Sequence, residues 1–288
     1  MKVIVAEDAG FCYGVKRATK AAFDAAAGVD GPVFTLGALI HNPQVVARLE
    51  REGVHAAKSL DEIGPGLAII RSHGLPPDTK KALEERAGRV LDLTCPTVKA
   101  VQQRAADLAA AGYRVVIIGD RYHPEVQAIA GYAGPEVLIV NSEEEASAVP
   151  EGERIGVVMQ TTHAAEACRR IAGALLDKAR EVRVFNTLCD ATSKRQHAAL
   201  ELAAKVDVAL VVGGHNSANT GRLAELCRKL GARTYHVETA DELVPAWFEG
   251  VSTVGVAAGT STPDWIIEEI VARLKSWGDS RARTKTAE

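Results

Sequence analysis

The 288-residue sequence has no uninterrupted apolar run near the ~18 residues a membrane-spanning helix requires. Its first apolar stretch, residues 3–5, runs at once into Glu7 and Asp8, unlike a secretory signal. A cytoplasmic protein is expected, with no membrane partner. Charge of one sign is also missing. The 34 basic and 37 acidic side chains leave a formal −3, too near zero to supply the counterion release behind nucleic-acid affinity, so no nucleic acid is expected either. There is no Walker lysine loop and no G-x-G-x-x-G, so a nucleoside triphosphate or nicotinamide cofactor has no motif to bind it. Closely spaced cysteine pairs are absent. The five cysteines are odd in number and far apart, unlike a disulfide scaffold; in a reducing compartment they read as buried thiols, ligands or nucleophiles. What is present, 47% apolar and a quarter charged residues, suits a soluble globular chain of two or three domains.

Short β-branched runs at 2–6, 33–36, 67–70, 90–93, 115–118, 137–140, 155–159, 182–185, 208–212 and 253–257 alternate with helical patterns. Helices are predicted at 98–111, 164–178, 193–205, 220–230 and 263–276. The alternation is that of α/β units on mostly parallel sheets. A repeat underlies it. Three strands run into Cys12, Cys95 and Cys189, and each cysteine is followed by a helix and a strand ending at Gly37, Gly119 or Gly213, 24 or 25 residues on. Beyond each glycine lies a polar cluster holding His41, His123 or Ser217. Each unit closes on a strand and a second polar turn: Arg71-Ser72-His73-Gly74, Gln160-Thr161-Thr162-His163 and Gly259-Thr260-Ser261-Thr262. Three similar α/β units are therefore expected at residues 1–95, 96–189 and 190–277, with a disordered tail at 278–288.

Ligands of open parallel sheets bind at the carboxyl ends of the strands, which makes these clusters candidates for one shared site. A pseudo-threefold arrangement would bring Cys12, Cys95 and Cys189 together, and three converging thiolates repel unless a cation lies between them. Zinc is one choice. Ligands 83 and 94 residues apart suit an iron-sulfur cluster better, because a cluster spans several ångströms and three ligands on four irons leave one iron open. The remaining turn residues, His41, His73, His123, Thr161, Thr162, Ser217, Asn219 and Ser261, are neutral or weakly basic donors fit to cradle a phosphate or diphosphate. Only the second cluster carries a carboxylate, Glu125, which burial would make a proton donor near neutral pH.

These residues resemble the LytB (IspH) family of 4-hydroxy-3-methylbut-2-enyl diphosphate reductases. The resemblance lies in Gly10-Phe11-Cys12-Tyr13-Gly14-Val15, His41-Asn42-Pro43, Arg71-Ser72-His73-Gly74, Thr94-Cys95-Pro96, His123-Pro124-Glu125-Val126, Gln160-Thr161-Thr162, Cys189-Asp190-Ala191-Thr192, Asn216-Ser217-Ala218-Asn219 and Ser261-Thr262-Pro263-Asp264, in order along nearly the whole chain. It implies a cloverleaf of three α/β domains around one [4Fe-4S] cluster on Cys12, Cys95 and Cys189. It also implies the last step of the non-mevalonate isoprenoid pathway. There, two electrons and two protons remove an allylic hydroxyl to give isopentenyl and dimethylallyl diphosphates, the electrons coming from a ferredoxin or flavodoxin type donor. By the same resemblance Glu125 delivers protons with Thr161 and His123, and the diphosphate sits among His41, His73, His123, Ser217, Ala218, Asn219 and Ser261. Ala218 departs from the family's second serine and offers only a backbone N–H, while Ala100 and Gln102 replace a lysine and a histidine common in the family.

Cys168 and Cys227 lie at helical spacing among leucines and isoleucines and are expected in the core. His55, His163, His197, His215 and His236 lie outside the repeat register and are expected at the surface or behind the site. Ser217, Asn219 and Ser261 can cap helices whether or not they bind phosphate. Two other functions use the same residues: a tri-thiolate zinc hydrolase of a phosphorylated small molecule, and a non-catalytic iron-sulfur sensor.

Overall fold

The computed structural model describes residues 1–285, with side chains described through Gly278. In chain order, β1 (Lys2–Val5) leads to α1 (Tyr13–Gly28), β2 (Val33–Leu36), α2 (Pro43–Arg51), β3 (Val54–Ala57), β4 (Gly66–Ile70), α3 (Pro77–Ala87) and β5 (Gly88–Asp92). Next come α4 (Pro96–Ala110), β6 (Arg114–Ile118), α5 (Pro124–Ala133), β7 (Leu138–Val140), α6 (Glu143–Ser147), β8 (Gly152–Met159), α7 (Ala165–Ala174) and β9 (Ala179–Val184). The last third holds α8 (Asp190–Ala203), β10 (Val208–Val212), α9 (Ala218–Lys229), β11 (Thr234–Val237), β12 (Thr253–Ala258) and α10 (Asp264–Lys285).

The strands form three four-stranded sheets, β3-β2-β4-β5, β7-β6-β8-β9 and β11-β10-β12-β1, with parallel pairing throughout. The α/β class is the one expected. Every sheet has the same order, and the strand that leads to a cysteine (β5, β9 or β1) is always an edge. Central strands such as β10, VALVV, are buried along their whole length, as apolar strands with helices over both faces must be. Edge strand β9, AREVRV, instead carries charges that discourage pairing with another chain.

The first expected unit, residues 1–95, is corrected at its start. β1 pairs in register with β12, Lys2 beside Thr253 and Val5 beside Val256. The repeat is circularly permuted. Each cysteine strand belongs to the sheet that precedes it in sequence, and the third sheet takes its fourth strand from the N-terminus. β3 and β11 were not predicted; VHAA and TYHV are four-residue edge strands too short and too polar to announce themselves. The expected tail is also corrected. α10 runs on to Lys285, because no proline follows to stop it, and Trp277 packs on the core beneath; 286–288 lie outside the described residues.

The chain divides into two compact units. One contains residues 1–13, 41–45 and those from Asp190 on, with the sheet that includes β1. Its core gathers Val208, Leu210, Val212, Val254, Val256, Ile266, Ile270 and Leu274 around the fully buried Phe248. The other, residues 14–40 and 46–189, holds the remaining two sheets. Within it, Gly131 on α5 makes room for Pro76 and Pro77 at the start of α3, where a Cβ would stand 2.7 Å from the Pro76 ring. No helix among the described residues is long and apolar enough to cross a membrane.

Deleting β1 should expose the open edge of β12. Hydrogen-exchange protection of the β12 amides is expected to fall at least about tenfold while amides of β4 and β6 keep theirs, since local stability follows local pairing. Equal loss in all three sheets would contradict the permuted assignment.

Candidate active site

Each cysteine immediately precedes a helix: Cys12 before α1, Cys95 before α4, Cys189 before α8. Each also makes the same main-chain bond. The N–H of Cys95 donates to Ser72 O at 3.0 Å, that of Cys189 to Thr161 O at 2.8 Å and that of Cys12 to Thr260 O at 3.1 Å. Ser72, Thr161 and Thr260 each stand two residues past the end of the neighbouring strand β4, β8 or β12. The glycines repeat as well: the N–H groups of Gly37, Gly119 and Gly213 donate to the last carbonyls of β3, β7 and β11. The register read in the sequence is thus an atomic correspondence within each sheet.

In the larger unit, Cys95 caps α4 with Pro96 in its first turn, a position where proline costs no hydrogen bond. Arg17 on α1 donates Nη2 to Leu93 O and Thr94 O at 3.1 and 2.8 Å, fixing the approach to the cysteine. The thiol then lies against Gly14, where a Cβ would stand 2.7 Å from Sγ. Glycine is required there for space, not for conformation.

Glu125 occupies the first turn of α5 and is only 2% exposed. Its Oε1 accepts the Thr161 N–H at 2.6 Å and its Oε2 the Thr161 hydroxyl at 3.0 Å. Burial pushes its pKa up to about 7, against the lowering effect of both Thr161 bonds. The Glu125 N–H donates to His123 Nδ1 at 3.1 Å, which leaves the proton of the neutral ring on Nε2. The His123 ring meets that of His73 edge-on, with centroids 5.4 Å apart. Gln160, fully buried, accepts the Asp120 N–H at 3.0 Å and donates to Thr162 Oγ1 at 3.5 Å. Glu125, Thr161, His123 and His73 therefore share one strand-end region.

In the smaller unit, Ser261 Oγ donates to His41 O at 3.1 Å, and Asn42 and Ser217 cap α2 and α9 with their side chains. Ala218 is the first residue of α9 and presents the backbone N–H of an open helix end. Asn219 Nδ2 donates to Thr260 Oγ1 at 3.3 Å. The carboxylate of Glu238, which sequence reading passed over, accepts the His215 N–H at 2.5 Å and Gln44 Nε2 at 3.3 Å. It ties the turn of His41 to the turn of Ser217. Only the strand order brings Glu238 to both, so no local signal could have marked it.

Cys168 and Cys227 are buried as expected, and burial pushes the Cys227 thiol up to about 11. His163 is buried, with Nε2 2.8 Å from Asn141 Oδ1 and Nδ1 accepting the Ala164 N–H. His215 is exposed and lies 3.0 Å from Glu242, its ring 4.5 Å from that of His236.

The LytB protein family model matches residues 3–275. A 4-hydroxy-3-methylbut-2-enyl diphosphate reductase of Pelobacter propionicus is 52% identical over 274 residues, 95% of this chain and 98% of that protein. The protein of the same description in Geobacter metallireducens is 50% identical over 275 residues, 96% of this chain and 97% of its own. A solved structure of (E)-4-hydroxy-3-methyl-but-2-enyl diphosphate reductase, described as the terminal enzyme of the non-mevalonate pathway, is 44% identical with a TM-score of 0.73, covering 96% of this chain and all of its own. The fold is shared with a reductase from Plasmodium falciparum at 24% identity and a TM-score of 0.89, over 94% of this chain and 87% of that one.

Burial lifts the Glu125 carboxyl from its ordinary 4.5 to about 7 in the folded chain. The folded state therefore binds the extra proton, and stability should fall as pH rises from about 4.5 through 7, by about 3 kcal/mol in all. His236, whose pKa burial lowers, contributes with the opposite sign in the same range, so the Glu125 slope is read as the difference between urea unfolding of the wild type and of Glu125→Gln, which cannot ionise. A difference of zero, or of opposite sign, would rule out a protonated Glu125 at neutral pH.

Proposed function

The chain belongs to the LytB protein family and acts as a 4-hydroxy-3-methylbut-2-enyl diphosphate reductase, the terminal enzyme of the non-mevalonate pathway; we propose that it works through a [4Fe-4S] cluster on Cys12, Cys95 and Cys189, with Glu125 as proton donor. The repeated bond from each cysteine N–H to an equivalent carbonyl carries the ligand set, because it singles out these three thiols from five. Several features fit such a group. The three are partly accessible where Cys168 and Cys227 are buried. Each precedes a helix N-terminus, whose dipole favours the thiolate. The space beside Cys95 Sγ is kept clear by Gly14.

When bound, the cluster supplies two electrons in single steps and an open iron as Lewis acid for the allylic hydroxyl. The reaction consumes two protons, and the leaving hydroxyl departs as water. Near pH 7 Glu125 is poised between its two forms, the condition under which a carboxyl group both gives and regains a proton efficiently. Thr161 holds both of its oxygens, fixing the direction of transfer. The Nε2–H of His123, with His41, His73, the Ser217 and Ser261 hydroxyls, the Asn219 amide and the Ala218 N–H, receives the diphosphate. These are the neutral donors that match many anionic oxygens without a nucleotide motif. A ferredoxin or flavodoxin type protein delivers the electrons.

Anaerobically purified protein should be brown, contain about four irons and four sulfides, and turn over the hydroxymethylbutenyl diphosphate with dithionite and a viologen. Glu125→Gln should keep the colour and lose about 10²-fold or more in kcat, whereas Cys95→Ser should lose colour and activity together. A colourless protein with stoichiometric zinc would overturn the cluster. A brown Glu125→Gln enzyme of full activity would overturn the proton donor.

A further inference from the structure

The pseudo-threefold repeat gives each strand-end residue two internal counterparts. The second residue after the caps Asn42, His123 and Ser217 is Gln44, Glu125 or Asn219. The residue just past β4, β8 or β12 is Arg71, Gln160 or Gly259. Each set has one charged member among neutral ones. Glu125 has its role above; Arg71 has none yet.

Arg71 lies over Gly37, where a Cβ would stand 2.5 Å from Nη1 and 3.3 Å from Cζ. Gln160 lies in the same way over Gly119, with 2.9 Å to its Cβ, and its Oε1 is satisfied by the Asp120 N–H. Arg71 finds no such compensation. Its Nε is sealed from solvent without a hydrogen-bond partner, and among the described residues no carboxylate pairs with the guanidinium. Part of the side chain stays open to solvent. Burial depresses its pKa, yet arginine remains charged. A mostly buried cation without a counter-ion is a costly arrangement, and the second repeat shows that a neutral glutamine fits the same place. Arg121, the other arginine in these turns, is occupied by donating to Ile139 O at 2.8 Å.

We propose that Arg71 binds the substrate's diphosphate, adding a full positive charge and a forked donor to the neutral groups on the turn that carries His73. This deepens the reading above and rests on it. A diphosphate carries several negative charges, and histidines, hydroxyls and an amide offer none to offset them. A guanidinium also discriminates by charge, favouring a diphosphate over a monophosphate.

Arg71→Gln copies the residue that the second repeat tolerates, and Arg71→Lys keeps the charge without the fork. In the reduced holoenzyme, Arg71→Gln should raise KM for the diphosphate substrate about tenfold or more with kcat and the visible spectrum little changed. Inorganic pyrophosphate should bind correspondingly more weakly by titration calorimetry, while inorganic phosphate changes less. Arg71→Lys should recover part of the loss, and it serves as the second probe if the glutamine variant does not fold. Unchanged KM and unchanged pyrophosphate affinity would overturn the assignment, as would a fall in kcat alone. Wild-type turnover separates the two levels: an inactive wild type defeats the reductase reading, and the pyrophosphate titration still decides on Arg71.

Discussion

A single main-chain hydrogen bond, made three times, fixes the strand ends on which the chemistry depends. Each cysteine N–H reaches the carbonyl two residues past the adjacent strand, at 2.8 to 3.1 Å. The cysteine strand is always an edge, and an edge strand alone holds its exit loosely. Its neighbour is different: β4, β8 and β12 lie inside their sheets and are buried along most of their length. The bond transfers that rigidity to the thiol. At Thr161 it does more, because the residue whose carbonyl takes the Cys189 N–H also gives its own N–H and hydroxyl to Glu125. The proposed ligand and the proposed acid are thus held through one residue.

Much of this was legible in the sequence because repeats are visible without knowing what they pair with. The register of cysteine, glycine and polar turn predicted equivalent places for Cys12, Cys95 and Cys189, and Glu125 stood out as the lone carboxylate. The sheet to which a strand belongs was less legible. Read along the chain, Lys2–Val5 opens the first repeat; hydrogen bonding makes it the last strand of the third. Spacing is unchanged by a circular permutation, so no count of residues could have told the two apart. Glu238 and Arg71 escaped for a related reason. A carboxylate that bridges two turns, or a guanidinium lacking a counter-ion, is defined by neighbours distant in sequence.

Both proposed functional charges are destabilising where they stand. A carboxylate ionised inside the second repeat, and a guanidinium sealed along one edge in the first, are groups that a protein selected for stability alone would replace by the amides found at equivalent places. The apolar strands beneath them supply the reserve, burying every residue of β10 and the four residues of β6 after Arg114. The chain keeps its costly groups at the carboxyl ends and its stabilising ones in the sheets, a division that the parallel architecture makes possible.

The hydrogen bonds around the carboxylate's place differ between the three repeats. In the first repeat both the N–H and the hydroxyl of Ser72 donate to Leu39 O, and the Gln44 amide donates to Glu238. At the third, the Thr260 hydroxyl oxygen accepts the Asn219 amide, a bond that a carboxylate in place of Asn219 could not donate. Thr161 alone aims both an N–H and an O–H at the residue opposite. The acid of the second repeat thus stands where one residue supplies donors to both of its oxygens, which offset part of the cost of burying it.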